Sequence, residues 1–334
     1  MAACRTFVFA CILALVAPLG ACTVPQNPGG GPSPAALASS PAASSSSGQT
    51  GQRSYTIGVS LMNRRQGFYK ELEKAMQKEA DDKHVKLIIT DANMQSQKQL
   101  QDVENLLVQK IDALIICPVD SKSAAAPVMA ADDRHVPVFT VDISVDGAPV
   151  VSHIASDNVA GGTRAAQYMA TALHDKGDVI VLDSPVVNSV IDRVKGFETE
   201  MKKHPDIHII QKIDAGAQRE PANKAMETML AAHPKIDGVF AINDETALGA
   251  LSAIDTSGRK GIVMVGYDAT PDAQEKIRAG TALQADVMQF PGKMGSTAID
   301  TALDALGGKK VPSSIPVDVQ VVDAATLGSS KPNF

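Results

Sequence analysis

The chain has 334 residues, 44% of them hydrophobic and 20% charged, which suits a folded globular protein rather than a disordered chain or a multi-span membrane protein. Lysine and arginine number 31 against 37 acidic residues, a net charge of -6, so the chain lacks a basic footprint and no nucleic-acid partner is expected. Aromatic residues are scarce at 4%, with no Trp, four Tyr and eight Phe, so an aromatic outside an apolar run becomes a candidate for contact with a ligand.

The first residues carry one positive charge at Arg5, an apolar run from Phe7 to Ala17, and the small-residue stretch Leu19-Gly20-Ala21-Cys22. This pattern reads as a secretory signal peptide over 1–21 that resembles a bacterial lipobox, with Cys22 as the lipidated first residue of the mature chain. The apolar run is much shorter than the ~20 residues a spanning helix needs. Cys4, Cys11 and Cys22 lie in or beside this segment, so Cys117 would be the one thiol left after processing and no intramolecular disulfide is expected. Residues 22–53 are rich in Pro, Gly, Ser and Ala and read as a disordered tether with a reach on the order of 30 Å.

From Tyr55 onward, short β-branched runs alternate with segments of helical spacing. The predicted strands are Tyr55–Leu61, Val85–Thr90, Ala113–Cys117, Val136–Val141, Val179–Leu182, Ile207–Ile213, Val239–Ile242 and Ile262–Val265. Phe68, Leu72, Met76 and Ala80 form one helical stripe; Leu100, Leu107 and Ile111 suggest another. Alternating strand and helix, with continuously apolar strands, predicts an α/β protein with doubly wound parallel sheets. A single barrel or two open sheets would both suit this count. The interruption at Val150–Asp157, before a new helix at Asn158, favours two lobes.

In open α/β sheets ligands bind beyond the carboxyl ends of the strands. The residues that follow the apolar runs are therefore the candidates: Asp142; Asn243, Asp244 and Glu245; Tyr267 and Asp268; and the segment Met62 to Tyr69 after the first strand. Carboxylates, amides and guanidinium groups suit a polyhydroxylated ligand, whose hydroxyls both donate and accept, and aromatic rings cover its C–H faces. Asn243 or Asp244 could equally serve only as a helix cap, and Phe68 only as core. No dinucleotide fingerprint, phosphate loop, nucleophile elbow or zinc spacing occurs, so neither an enzyme, a metal nor a cofactor is expected.

Three stretches then carry a specific resemblance: Val150-Val-Ser-His-Ile-Ala-Ser-Asp-Asn158 followed by Gly161-Gly162, Phe240-Ala-Ile-Asn-Asp-Glu-Thr-Ala-Leu-Gly-Ala-Leu251, and Val263-Met-Val-Gly-Tyr-Asp-Ala-Thr-Pro-Asp272. From about Ser54 to Val322 the chain resembles the ribose-binding-protein class of periplasmic substrate-binding proteins of ABC transporters. The resemblance implies two similar lobes joined by a three-strand hinge, crossed near Ser156, Gln289 and Pro316. The N-terminal lobe is expected at 54–156 plus 290–316, the C-terminal lobe at 157–289 plus 317–330. It also implies ligand contacts at Phe68, Tyr69, Asp142, Arg193, Asn243, Tyr267, Asp268 and Gln289, with Met62, Arg65 and Gln66 as further candidates.

The chain departs from the ribose binder at Asp142-Ile143, where an arginine follows the aspartate in the relative, and at Ala217, where the relative has phenylalanine. With Arg64 and Arg65 close by, these departures point away from ribose to another sugar, a polyol or a mildly acidic sugar derivative. The expected protein is a monomeric, membrane-anchored lipoprotein that delivers its sugar or polyol to an ABC permease. A receptor domain feeding a signalling or chemotaxis partner is the alternative. A sugar-responsive repressor shares the two-lobed core but would carry a helix-turn-helix where this chain has a signal and a tether.

Overall fold

A computed structural model describes residues 54–329; the signal peptide, the lipidated Cys22 and the tether read from the sequence lie outside the described residues. The chain first builds β1 (Thr56–Leu61), α1 (Gly67–Asp82), β2 (Lys86–Asp91), α2 (Ser96–Val108), β3 (Ala113–Ile116), α3 (Ala125–Asp132), β4 (Val138–Val141) and β5 (Ser152–Ser156). It then forms α4 (Asn158–Ala172), β6 (Gly177–Asp183), α5 (Asn188–Met201), β7 (Ile207–Asp214), α6 (Arg219–Ala232) and β8 (Gly238–Ala241). The run continues with α7 (Asp244–Ser257), β9 (Val263–Asp268), α8 (Pro271–Arg278) and β10 (Leu283–Met288), and closes with α9 (Pro291–Leu306), β11 (Ser314–Val317), β12 (Gln320–Asp323) and α10 (Ala324–Ser329).

Among the described residues these strands make two sheets of the same design, ordered β2-β1-β3-β4-β5-β11 and β7-β6-β8-β9-β10-β12. All neighbours are parallel except β10 and β12. Parallel strands must be covered on both faces, which is why β3, β4 and β8 are buried along their whole length and read as unbroken apolar runs. The strand order reverses at β1 in one sheet and at β6 in the other, so each lobe opens a crevice at the carboxyl ends of its strands.

The chain passes between the two sheets three times: at Asp157 between β5 and α4, at Gln289 and Phe290 between β10 and α9, and at Asp318 and Val319 between β11 and β12. Helix α9 returns to pack on α1 and β5, so the first lobe is completed by chain that comes late in sequence. Two α/β lobes of doubly wound, mainly parallel sheet are therefore present, as the alternation of elements predicts.

Two local expectations need correction. The stretch 150–157 is not a break in the pattern: Ser152–Ser156 is β5, with Ile154 and Ala155 buried behind a polar first half. The second helical stripe is Gln99, Val103, Leu106 and Leu107, with Leu100 on its flank and Ile111 in the turn beyond. Gln99 is buried because its side-chain amide donates to the Cys117 carbonyl (2.8 Å) and accepts from the Val119 N–H (2.9 Å), fixing the loop after β3.

Small residues set the spacing of the second lobe. Side chains at Gly161 and Gly162 would run into the Tyr267 hydroxyl and the Arg193 carbonyl, and one at Gly196 into the Val159 carbonyl. Their absence lets α4 and α5 touch backbone to backbone, which brings Arg193 to the edge of the cleft.

A candidate sugar-binding cleft between the lobes

The carboxyl ends of the two sheets face one another across a slot enclosing about 460 Å³ of empty space, mouth included. From the first lobe come Met62, Gln66, Phe68, Tyr69, Met94, Asp142 and Ile143; from the second, Val187, Ser189, Val190, Arg193, Ala217, Asn243 and Asp268; Gln289 stands at the crossing. The lobes are closed over it. Asn188, first residue of α5, donates from its side chain to Ser144 Oγ (3.0 Å) and Asp146 Oδ1 (2.6 Å) of the other lobe, and from its N–H to Ser121 Oγ (3.0 Å).

Phe68 and Tyr69 open α1 and meet edge to face at 5.1 Å. The Tyr69 hydroxyl sits between Met62 Sδ and Asp142 Oδ2, 3.1 Å from the carboxylate. Asp142 follows β4 with φ of 65°, a left-handed turn that aspartate adopts more readily than most residues. Its Oδ1 is buried without a hydrogen-bond partner among the described residues. Burial raises the Asp142 carboxyl above the usual range, and Arg193 pulls it partly back. The Tyr69 hydroxyl and the Cys117 thiol are pushed well up by the same burial, aided by the charge of Asp142.

Arg193 is the second lobe's anchor. Its Nε donates to Asn158 Oδ1 and one Nη to the Ile242 carbonyl, both at 2.8 Å, while the guanidinium lies 3.9 Å above the Tyr267 ring. Asp268 Oδ1 stands 3.8 Å from it and accepts from Gln289 Nε2 at 2.6 Å. Burial moves the Asp268 carboxyl well above its ordinary range, Arg193 opposing the shift. Gln289 Oε1 has no hydrogen-bond partner among the described residues. Asn243 has both roles considered for it: its Oδ1 caps α7 by accepting from the Thr246 N–H (2.9 Å), and its side chain lines the cleft.

Two candidates fall elsewhere. Tyr267 lies within β9, one residue before Asp268, and strand alternation turns its ring toward α4. There it is fully buried as a platform under Arg193, with its hydroxyl 3.3 Å from Asn158 Oδ1. Arg65 is exposed and bonded to the Asn93 side chain, and Arg64 is paired with Glu73. Asn63 Oδ1 accepts from the N–H groups of residues 65 and 66, a turn that holds both arginines outside the cleft. Met94, Val187, Ser189 and Val190 also line the slot, although the sequence pattern does not mark them. The last three follow β6, where the strand-end rule would have found them. Among the described residues no cluster of His, Cys, Asp or Glu is arranged to hold a metal ion.

Unbonded capacity decides what this slot can hold. Buried acceptors stand open at Asp142 Oδ1 and Gln289 Oε1, and two carboxyls face a single guanidinium. A partner must donate hydrogen bonds from one lobe to the other and accept from Arg193, which hydroxyl groups do and a carboxylate does not.

Residues 57–310 match the family described as periplasmic binding protein domain, and the chain belongs to that family. It is 38% identical over 271 residues to the ribose import binding protein RbsB of Bacillus subtilis, covering 81% of this chain and 88% of the relative. Among solved structures it is similar to a periplasmic solute-binding protein of Actinobacillus succinogenes with bound D-allose (28% identity, TM-score 0.77, covering 83% of this chain and 100% of that one). A solute-binding protein of Bacillus halodurans with bound myo-inositol is similar to the same degree (28% identity, TM-score 0.78, covering 84% and 98%).

Proposed function

We propose that the protein is an extracytoplasmic solute-binding lipoprotein that captures a neutral sugar or polyol between its lobes and delivers it to an ABC import permease. The observation that carries this reading is the closed cleft, in which Asp142 of one lobe and Gln289 at the crossing hold unfilled hydrogen-bonding capacity, with Arg193 and Asp268 lining the opposite wall. A ligand that bonds to both lobes makes those contacts only when they are shut, so it shifts the open–closed equilibrium by its differential contacts. The named relatives, an import binding protein and two solute-binding proteins, support transport over sensing and over catalysis.

The acidic sugar derivative considered from the sequence loses its support, because Arg64 and Arg65 are engaged outside the slot. The lobes are taken as 54–156 plus 290–316 and 157–289 plus 317–330, the chain as a monomer, and Cys22 as the lipid anchor. A thermal-shift and calorimetric panel of D-ribose, D-allose, myo-inositol and D-glucuronate tests the reading. One or more neutral members should raise Tm and titrate at one site, since occupancy at a hundred times Kd stabilises by about 2.7 kcal/mol. Binding of the uronate alone, or turnover of any member, would contradict it. Radiolabelled palmitate on the wild-type chain, absent from C22S, tests the anchor.

A further inference from the structure

The backbone that presents Asp268 is bent out of ordinary geometry, with φ of 113° at Asp268 and 56° at Ala269. Neither residue is glycine, so something must hold the bend. Two carboxyl groups behind it do so. Asp286 Oδ1, from β10, accepts from the Ala269 N–H at 3.0 Å. Asp244 Oδ2, from the first turn of α7, accepts from the Thr270 N–H at 2.6 Å and from the Thr270 hydroxyl. Gln274 adds a bond from its side chain to the Ala269 carbonyl at 2.9 Å.

The two acids are 1% and 0% exposed. Asp244 Oδ1 and Asp286 Oδ2 find no hydrogen-bond partner among the described residues. Room for the arrangement comes from Gly266, the β9 residue directly beside Asp286 in the sheet, where any side chain would collide with Asp286 Oδ2. The geometry points to Asp244 and Asp286 as a pair of positioning residues, outside the cleft, that fixes the turn presenting Asp268 for ligand capture. The link to capture rests on the sugar-binding reading above; the link to the turn does not.

The charged groups around the pair are Asp268 on the turn itself and Arg193, which faces Asp268 from α5. At the surface stands the Arg219–Glu245–Asp272 cluster at the starts of α6, α7 and α8. Burial raises Asp286 to about 7, with Asp268 adding to the rise, and holds Asp244 well above its ordinary range.

Amide exchange in the sugar-free full chain tests the pair directly. In wild type, the Ala269 and Thr270 amides should both be protected at pH 6, after correction for intrinsic exchange. In D286N, whose amide oxygen still accepts from Ala269, protection should stay within threefold of wild type. D286A should lower protection at both amides at pH 6, with β1 amides as the internal control for global unfolding. Unchanged protection in D286A, or a loss in D286N equal to that in D286A, would overturn the proposal. Titration of the same proteins with D-ribose, D-allose and myo-inositol separates the two readings. If wild type binds one of them, D286A should bind it at least tenfold more weakly and D286N within threefold, and equal affinity in D286A would confine the pair to a purely structural role. If none binds, the sugar reading fails while the exchange data still decide the pair.

Discussion

Replacing Asp142 with asparagine should weaken sugar binding and strengthen the sugar-free fold. The carboxylate is 4% exposed, its Oδ2 accepts from Tyr69, and its Oδ1 has no hydrogen-bond partner among the described residues. Because burial raises its folded pKa, the ionised form is destabilising: the cost is absent below the unfolded pKa and grows as pH rises through the folded value. The asparagine would keep the Tyr69 bond and bury an amide in place of a charge, which costs less. Arg193 would retain Asp268 as its counter-charge, so no new unpaired ion arises. The variant should therefore melt higher than wild type at pH 8, and the gap should shrink toward pH 4. Toward a sugar hydroxyl it loses a charge-assisted bond of about 1.5–3 kcal/mol, a Kd roughly ten- to a hundredfold higher. Calorimetric titration with the tightest-binding member of the sugar panel and melting curves from pH 4 to 8 measure both effects. Affinity within threefold of wild type, or a fall in melting temperature at pH 8, would refute the reasoning.

Asn188→Ala should remove the side-chain bonds across the cleft mouth, each worth about 0.5–1.5 kcal/mol net. The sugar-free chain should then have a larger radius of gyration by X-ray scattering and bind sugar more weakly, without any change to the lining. An identical scattering curve would assign the closed form to other contacts. His153, paired with Thr140 at 2.8 Å, is lowered to about 4 by burial, so its neutral form belongs to the folded state. Stability should be full above the unfolded pKa near 6.5 and decline by up to roughly 3 kcal/mol as pH falls toward 4. H153Q should remove that part of the acid loss in urea melts, and an unchanged profile would assign it elsewhere.

Much of the architecture is legible in local pattern because parallel strands buried on both faces leave unmistakable apolar runs. Each run read from the sequence has a strand in the structure, with ends shifted by up to three residues. What escapes is instructive: β5 begins with Ser152-His153, β10 carries the buried Asp286, and β11 and β12 are short edge strands with exposed residues. In each, polar side chains at buried or solvent-facing positions mask the strand signal. At the cleft, Asp142, Asn243 and Asp268 are readable because the carboxyl ends of parallel strands converge there. Tyr267 and Arg65 are displaced by effects that spacing does not encode, strand alternation in one case and an Asn63 turn in the other. Met94 belongs to the lining through a backbone bond from its N–H to the Met62 carbonyl, a non-local contact with no trace in its neighbours.

The central claim is that a neutral hydroxylated ligand is held by both lobes at once. X-ray scattering and calorimetry on one preparation of the full chain, titrated with D-ribose, D-allose, myo-inositol and D-glucuronate, test it most directly. The account predicts that at least one neutral member binds with one-site stoichiometry and drives the N188A variant to the compact wild-type radius. Saturable binding that leaves that radius unchanged, or binding confined to the uronate, would contradict it.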